Sequence, residues 1–276
     1  MSKFKTRELL EKLGKKIESV QSSEEFQSIL ESFSKFHSYS YHNSLLILTQ
    51  KPDASFVAGY KQWQQKFNRH VKKGENGIAI LAPFSYKNRI EKASNDNEKE
   101  KDSDDENYVK KTYFKPVYVF DVSQTEGEDL PEIDTSLDNK HQYLLNPILS
   151  LVNEKGVKLK FESLKNGLDG YSKGGEIVIN KALNPTEKAA VIIHELAHEI
   201  LHSREERAVL TKEVKELEAE AVSFVVMDHY NLEIKSDQYL ALYKESYDLK
   251  DSLKRISKLA TSIISYCDQK LELKKS

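Results

Sequence analysis

The sequence predicts an α+β protein built as two domains, on three observations. Segments with apolar residues at helical spacing occupy both ends of the chain, short alternating or continuous apolar runs lie between them, and an acidic stretch with almost no apolar side chains interrupts the first half. With 276 residues the chain can hold one large or two ordinary domains, and 38% hydrophobic residues suffice for a core. A single cysteine excludes a disulfide framework and fits a reducing compartment. No apolar run approaches the ~20 residues of a membrane span, and the basic N-terminus has no hydrophobic segment after it. The expectation is therefore a cytoplasmic protein without a membrane partner.

Residues 6 to 36 read as two packing helices, carried by Leu9, Leu13, Ile17 and Val20 and then by Phe26, Ile29, Leu30 and Phe33. Ser22, Ser23, Glu24 and Glu25 end the first and cap the second. An aromatic and polar segment from His37 to Asn43 turns into a third helix, stopped by Lys51, Pro52 and Asp53. The turn at Lys72, Lys73, Gly74 and Glu75 leads into a strand over Ile78 to Pro83. A second strand pattern, Tyr113 to Val122, can pair with Ile78 to Leu81.

Between these strands, residues 87 to 112 read as a flexible loop insertion. Eight acidic and three basic residues fall between Glu91 and Glu106, too polar a stretch to offset its own ordering entropy. It either folds back on the basic surface before it or stays solvated. A domain boundary is expected near residue 133, giving domains 1–133 and 134–276.

The second half opens with a helix from about His141 to Glu154. Val157 to Phe161 alternates cleanly, and two short strands flank Gly174 and Gly175, which together predict a small antiparallel sheet. Asn184, Pro185 and Glu187 then start the helix that carries the chemistry. Glu205 to Tyr230 reads as another long helix, Ser236 and Asp237 start a further one, and Leu249 to Leu273 forms the last.

His194 and His198 are four residues apart, which stacks two imidazoles on one helix face where they can chelate one zinc ion. Glu195 follows the first histidine and can accept a proton from water at the metal, the H-E-x-x-H arrangement of a zinc hydrolase. A structural zinc site usually needs thiolates, and Cys267 is the only cysteine. Glu216 and Glu220 share a face of the next helix, so Glu216 can supply a third ligand while Glu220 accepts the hydrogen bond of a ligand histidine; Glu218 points about 200° away from Glu216. His202 is either structural or part of the pocket rim. Tyr171 and His229 are weaker candidates for stabilising a tetrahedral intermediate.

From Lys35 to Arg89 nine Lys and Arg residues face only Asp53 and Glu75, a local net charge of +7, and Phe56, Tyr60, Trp63 and Phe67 interleave with them. Aromatic faces beside a cationic groove suit single-stranded nucleic acid. On composition alone, however, Trp63 and Phe67 read better as a core-facing helical pair under a solvated basic surface.

Two resemblances add to this reading. His194-Glu195-Leu196-Ala197-His198 with Glu216, Ala219 and Glu220 resembles the gluzincin-type metallopeptidase core, whose second motif supplies the third ligand. The blocks Tyr41-His42-Asn43, Pro52-Asp53 to Trp63, Val71 to Pro83 and Val119 to Thr125 are similar to the N-terminal domain of ArdC-type antirestriction proteins. That family joins a single-stranded-DNA-binding domain to a zincin-like domain and is carried by mobile elements. The resemblance implies single-stranded-DNA binding by the first domain without assigning contacts to motif positions; the candidate contacts in its basic and aromatic stretch are Tyr41, Asn43, Lys61, Trp63, Lys66, Arg69, Lys72 and Lys73, and the zincin-like core agrees with a Zn2+ site at His194, His198 and Glu216 with Glu195 as catalytic base. Three function classes follow: a peptidase brought to its target by single-stranded DNA, a DNA-protection protein with an idle zincin domain, and a regulator with a structural metal.

Overall fold

The computed structural model describes residues 2–18, 20, 23–89, 108–130, 143–165, 167–202, 210–232 and 249–272. Helices α1 (Ser2–Glu18), α2 (Ser23–Lys35) and α3 (Tyr41–Gln50) open the chain. Their apolar faces do not form a core of their own. Leu9, Phe26, Ile29, Phe33, Leu45 and Leu46 join one continuous cluster with Ile192, Val222, Val225, Ile256 and Ile263 from three helices of the second half, α6 (Pro185–Leu201), α7 (Lys212–His229) and α8 (Leu249–Glu272). The segment holding the expected boundary near 133 lies outside the described residues.

A second, smaller core lies under a three-stranded sheet of order β1-β4-β3, made of β1 (Val57–Gly59), β3 (Ile78–Arg89) and β4 (Tyr108–Asp121). Ile78, Ile80, Val57 and Val119 pack there against Phe36 and Ile47. β3 and β4 pair antiparallel from Ile78↔Val119 to Arg89↔Tyr108. The hairpin thus takes in both margins of the stretch read as loop, because ladder hydrogen bonds need no apolar side chain; residues 90 to 107, with most of the acidic run, lie outside the described residues.

The open edge of β3 is covered by α3. The Asn43 amide donates to the Leu81 carbonyl and accepts from the Leu81 N–H at 3.0 and 2.9 Å, and Gln50 does the same for Ala79 at 2.8 and 3.0 Å. Seven residues apart on one helix face, these two amides occupy backbone groups that an edge strand would otherwise offer to another chain. Helix α4 (Tyr60–Phe67) follows β1, and β2 (Arg69–Val71) pairs with β5 (Thr125–Gly127) beyond a 3-10 turn at Val122–Gln124.

In the second half α5 (Leu145–Glu154) leads to a sheet of order β6-β8-β7, from β6 (Lys158–Glu162), β7 (Gly170–Ser172) and β8 (Glu176–Asn180). Gly174 and Gly175, both at positive φ, make the β7–β8 hairpin expected there. β6 runs parallel to β8, so the sheet is mixed rather than purely antiparallel. The correction is topological: the hairpin places β8 in the centre, and β6 joins its other side in the same direction. The helix start placed at Ser236 and Asp237 and the stretch from 205 to 209 lie outside the described residues.

Candidate metal centre and nucleic-acid surface

Helix α6 is anchored at its start by a reciprocal cap: Asn184 Oδ1 accepts from the Glu187 N–H and Glu187 accepts from the Asn184 N–H, each at 2.9 Å, with Pro185 in the first turn. Near its end, Glu199 accepts from the Gly174 and Gly175 N–H groups at 2.9 and 2.7 Å, clamping the β7–β8 turn to the helix. β7 lies so close that a Cβ on Gly170 would come within 2.7 Å of the Val191 side chain. The sheet edge and the histidine helix are thereby fixed to each other.

Along α6 the i, i+4 spacing stacks His194, His198 and His202. Nε2 of His194 and Nε2 of His198 are 3.0 Å apart, and each lies 3.5 Å from Oε2 of Glu216 on α7. Bonds of about 2.05 Å at tetrahedral angles would set donor atoms about 3.3 Å apart. The triangle therefore has the size a tetrahedral zinc needs, and its two neutral nitrogens and one carboxylate oxygen are a suitable donor set. Glu220 does not join the triangle. It meets the other nitrogen of His194, Nδ1, at 3.2 Å. Burial opposes charge on His194, but the hydrogen bonds it donates to Glu216 and Glu220 outweigh it and push its pKa up to about 10; the imidazoles of His194 and His198 hold Glu216 well below the usual carboxylate range. The site is built to hold positive charge at its centre.

Behind His198 runs a chain of contacts that spacing did not disclose. His198 Nδ1 lies 3.0 Å from His202 Nδ1, and His202 Nε2 lies 3.2 Å from Glu218. Glu218 is fully buried and is held by the Ser252 hydroxyl at 2.6 Å and by the Arg255 guanidinium of α8. With His198 Nε2 in the triangle, its Nδ1–H donates to His202, whose Nε2–H donates to Glu218. Burial lowers the His202 pKa, in keeping with the neutral form this chain requires. His202 is thus a buried link, not a rim residue.

Glu195 is buried beside the triangle. Burial raises its pKa against the pull of His194, His198 and a hydrogen bond from the Ser172 hydroxyl of β7. Tyr171 lies on β7 with Lys173 over its ring. His229 is elsewhere: thirteen positions along α7 from Glu216, about 20 Å at 1.5 Å per residue, it contacts Ser34 and Asp268.

The residues assigned to DNA divide sharply. Trp63 is fully buried, packs with Phe56 and Phe67 at 5.6 and 5.2 Å, and donates its indole N–H to the Phe120 carbonyl at 3.0 Å. Tyr41 is buried in the main core and Asn43 is committed to β3. These three assignments are corrected: each side chain is in the interior, out of reach of a base. The Arg69 fork is spent on Thr125 and the Gly127–Glu128 backbone, and Lys72 donates to the Ser123 carbonyl. Lys61, Lys66, Lys72 and Lys73 are exposed.

Exposed aromatic faces occur instead on the β3–β4 hairpin. Phe84 and Tyr113 are directly paired, with ring centroids 6.1 Å apart, and the Lys115 ammonium sits 5.0 Å from both rings. Phe114 and Tyr118 are exposed on the opposite face of β4. Tyr113 opens the second strand pattern read from the sequence, and the aromatic and basic residues interspersed along β4 were the available signal.

Residues 5–120 match the N-terminal domain of anti-restriction factor ArdC, and residues 152–261 match the IrrE N-terminal-like domain of the M78 peptidase family. An uncharacterized Bacillus anthracis protein, pXO2-81, is 27% identical over 309 residues, covering 98% of this chain and 52% of its own length. The chain thus spans about half of that relative. The metal-free crystal structure of the antirestriction protein ArdC from the R388 plasmid aligns with a TM-score of 0.49 and 19% identity over 83% of both chains. Its Mn(II)-bound structure aligns with a TM-score of 0.45 and 17% identity over 84% of this chain and 85% of that one. The two matches together describe an ArdC-type N-terminal domain over residues 5–120 followed by an IrrE-like domain of the M78 peptidases over residues 152–261.

Proposed function

We propose that the chain is a zinc-dependent peptidase whose ArdC-type half binds single-stranded DNA. The observation that carries the hydrolytic part is the triangle of His194, His198 and Glu216 with buried Glu195 beside it. A zinc ion held by those three residues would act as a Lewis acid toward a carbonyl and lower the pKa of water. The residues supply the rest. Glu195, its carboxylate made more basic by burial, accepts a proton from the attacking water and passes it to the leaving amine nitrogen as the C–N bond breaks. Glu220 and the His202–Glu218 chain fix the imidazoles with their Nε2 lone pairs toward the centre. β7 is an edge strand, so an extended peptide can pair with its backbone and pass over Glu195.

For DNA, the Phe84–Tyr113 pair with Lys115 is the platform: bases stack on exposed rings while Lys61, Lys66 and Lys73 attract the phosphates. This replaces the buried Trp63 as the stacking residue. Domains 1–133 and 134–276 then divide labour between binding and hydrolysis while sharing one core.

The full chain and Glu195→Gln are to be compared for zinc content, proteolysis of unfolded polypeptides and retention of a single-stranded oligonucleotide. The expected result is unchanged zinc and DNA binding with proteolysis lost. DNA binding with no proteolysis by the parent chain would overturn the peptidase reading in favour of a protection protein; binding that does not weaken with salt would overturn the electrostatic part.

A further inference from the structure

A second group of metal-ligating side chains lies far from the first. His37 follows α2, His229 is the last residue of α7, and Asp268 lies in the penultimate turn of α8. One donor atom from each falls within a 4.8 Å sphere of separations: Nε2 of His37 is 3.8 Å from Oδ2 of Asp268, and Nε2 of His229 is 3.9 Å from Oδ1. The two rings meet edge to face with centroids 4.4 Å apart.

We propose that His37, His229 and Asp268 form a second site for a divalent first-row transition ion, zinc being the simplest occupant, which staples the connection between α2 and α3 to α7 and α8. Two imidazoles and one carboxylate are a donor set for such ions rather than for calcium or magnesium. The outer contacts are those of ligands already oriented. His229 Nδ1 donates to the Ser34 carbonyl at 3.2 Å, which leaves its Nε2 lone pair for the cluster, and Asp268 accepts the Tyr230 hydroxyl at 2.7 Å. His37 turns its Nε2, not its buried Nδ1, toward Asp268, so the nitrogen facing the cluster is the one free to ligate.

Electrostatics agree. α2 and α7 both end at this point, so the carbonyl ends of two helix dipoles face it, and Asp268 pairs with no Lys or Arg among the described residues. The donor separations, 3.8 and 3.9 Å to the two carboxylate oxygens and within 4.8 Å throughout, exceed the tetrahedral value of about 3.3 Å, and χ rotations of these half-buried side chains would have to close the difference on binding. The three side chains keep partial access to solvent, which leaves a route for the ion.

The test uses the full chain, stripped of metal, with zinc counted by elemental analysis after equilibration and removal of excess. Two equivalents per chain are expected for the parent, one for Asp268→Asn or His229→Gln, and one for His194→Ala, with far-ultraviolet dichroism confirming the fold of each. In the His194→Ala background zinc should raise the melting temperature, and adding Asp268→Asn should abolish that rise. If Asp268→Asn and His229→Gln both keep every equivalent the parent binds, and zinc leaves the melting temperature of His194→Ala unchanged, the second site does not exist. That outcome would leave the first cluster untouched, because His194→Ala reports on it separately.

Discussion

The ArdC-type half and the M78-type half contrast in how their functional side chains are assembled. In the second half, His194, His198, Glu216 and Glu220 are set by i, i+4 repeats on two helices that pack together, and their polar atoms converge to within 3.0 to 3.5 Å. In the first half the same kind of repeat puts Trp63 and Phe67 on one face of α4, yet that face turns inward. A helical repeat says which residues share a face. Whether the face meets water, metal or core is decided by what packs on it.

The strongest way to break this contrast is to empty the inward face. Trp63→Ala should cost roughly 3–5 kcal/mol of folding stability, read by denaturant or thermal unfolding of the full chain. A neutral effect on folding with a large loss of DNA affinity would return Trp63 to the binding surface. A comparable effect is expected in the second half from Glu218→Ala. It removes the anion from a buried pair with Arg255 and takes away the acceptor of the Ser252 hydroxyl and of His202 Nε2, a loss on the order of 3–5 kcal/mol. A surface-like loss below about 1 kcal/mol would show that the chain behind His198 is not structural.

Smaller effects sharpen the other side. Phe84→Ala and Tyr113→Ala should each weaken single-stranded DNA binding by on the order of 1–3 kcal/mol with little change in melting, since both rings are exposed. Loss of folding without loss of intrinsic affinity would contradict the platform. Asp121 tests the small core beneath it. Burial pushes its carboxyl upward, but the Ser123, Ser55 and Phe56 N–H groups and the Ser123 hydroxyl win, and its pKa falls below the ordinary 3.8. A depressed folded pKa contributes stability that is complete above the unfolded value and lost as pH drops through the folded one. Asp121→Asn should therefore cost about 1–2 kcal/mol near neutral pH. The gap to the parent should narrow once the pH passes below 3.8; a gap that widens on acidification would reverse the sign.

The legible parts of the molecule were those set by local repeats. The helix carrying the histidines, the glutamates sharing a face of the next helix, the strand opening at Ile78 and the turn at Gly174–Gly175 all follow from residues close in sequence. The hidden parts join distant positions. Glu218 meets residues 34 and 37 positions later, and the contact of His229 with Ser34 spans 195 positions, so no spacing rule could place them. Asn43 was misassigned for the same reason, since its polarity suits a ligand contact as well as a strand edge, and only its two bonds to Leu81 distinguish them. The β6–β8 direction was hidden because alternation defines a strand but not its partner.

The central claim is that the carboxylate at 216, not the one at 220, completes a metal centre with His194 and His198. It is tested most directly by counting zinc in the full chain, Glu216→Ala and Glu220→Ala after equilibration with excess zinc and its removal. Glu216→Ala should hold one equivalent fewer than the parent, and Glu220→Ala should keep that equivalent with affinity reduced about 10–100-fold. Full zinc occupancy in Glu216→Ala, with loss in Glu220→Ala, would contradict the assignment.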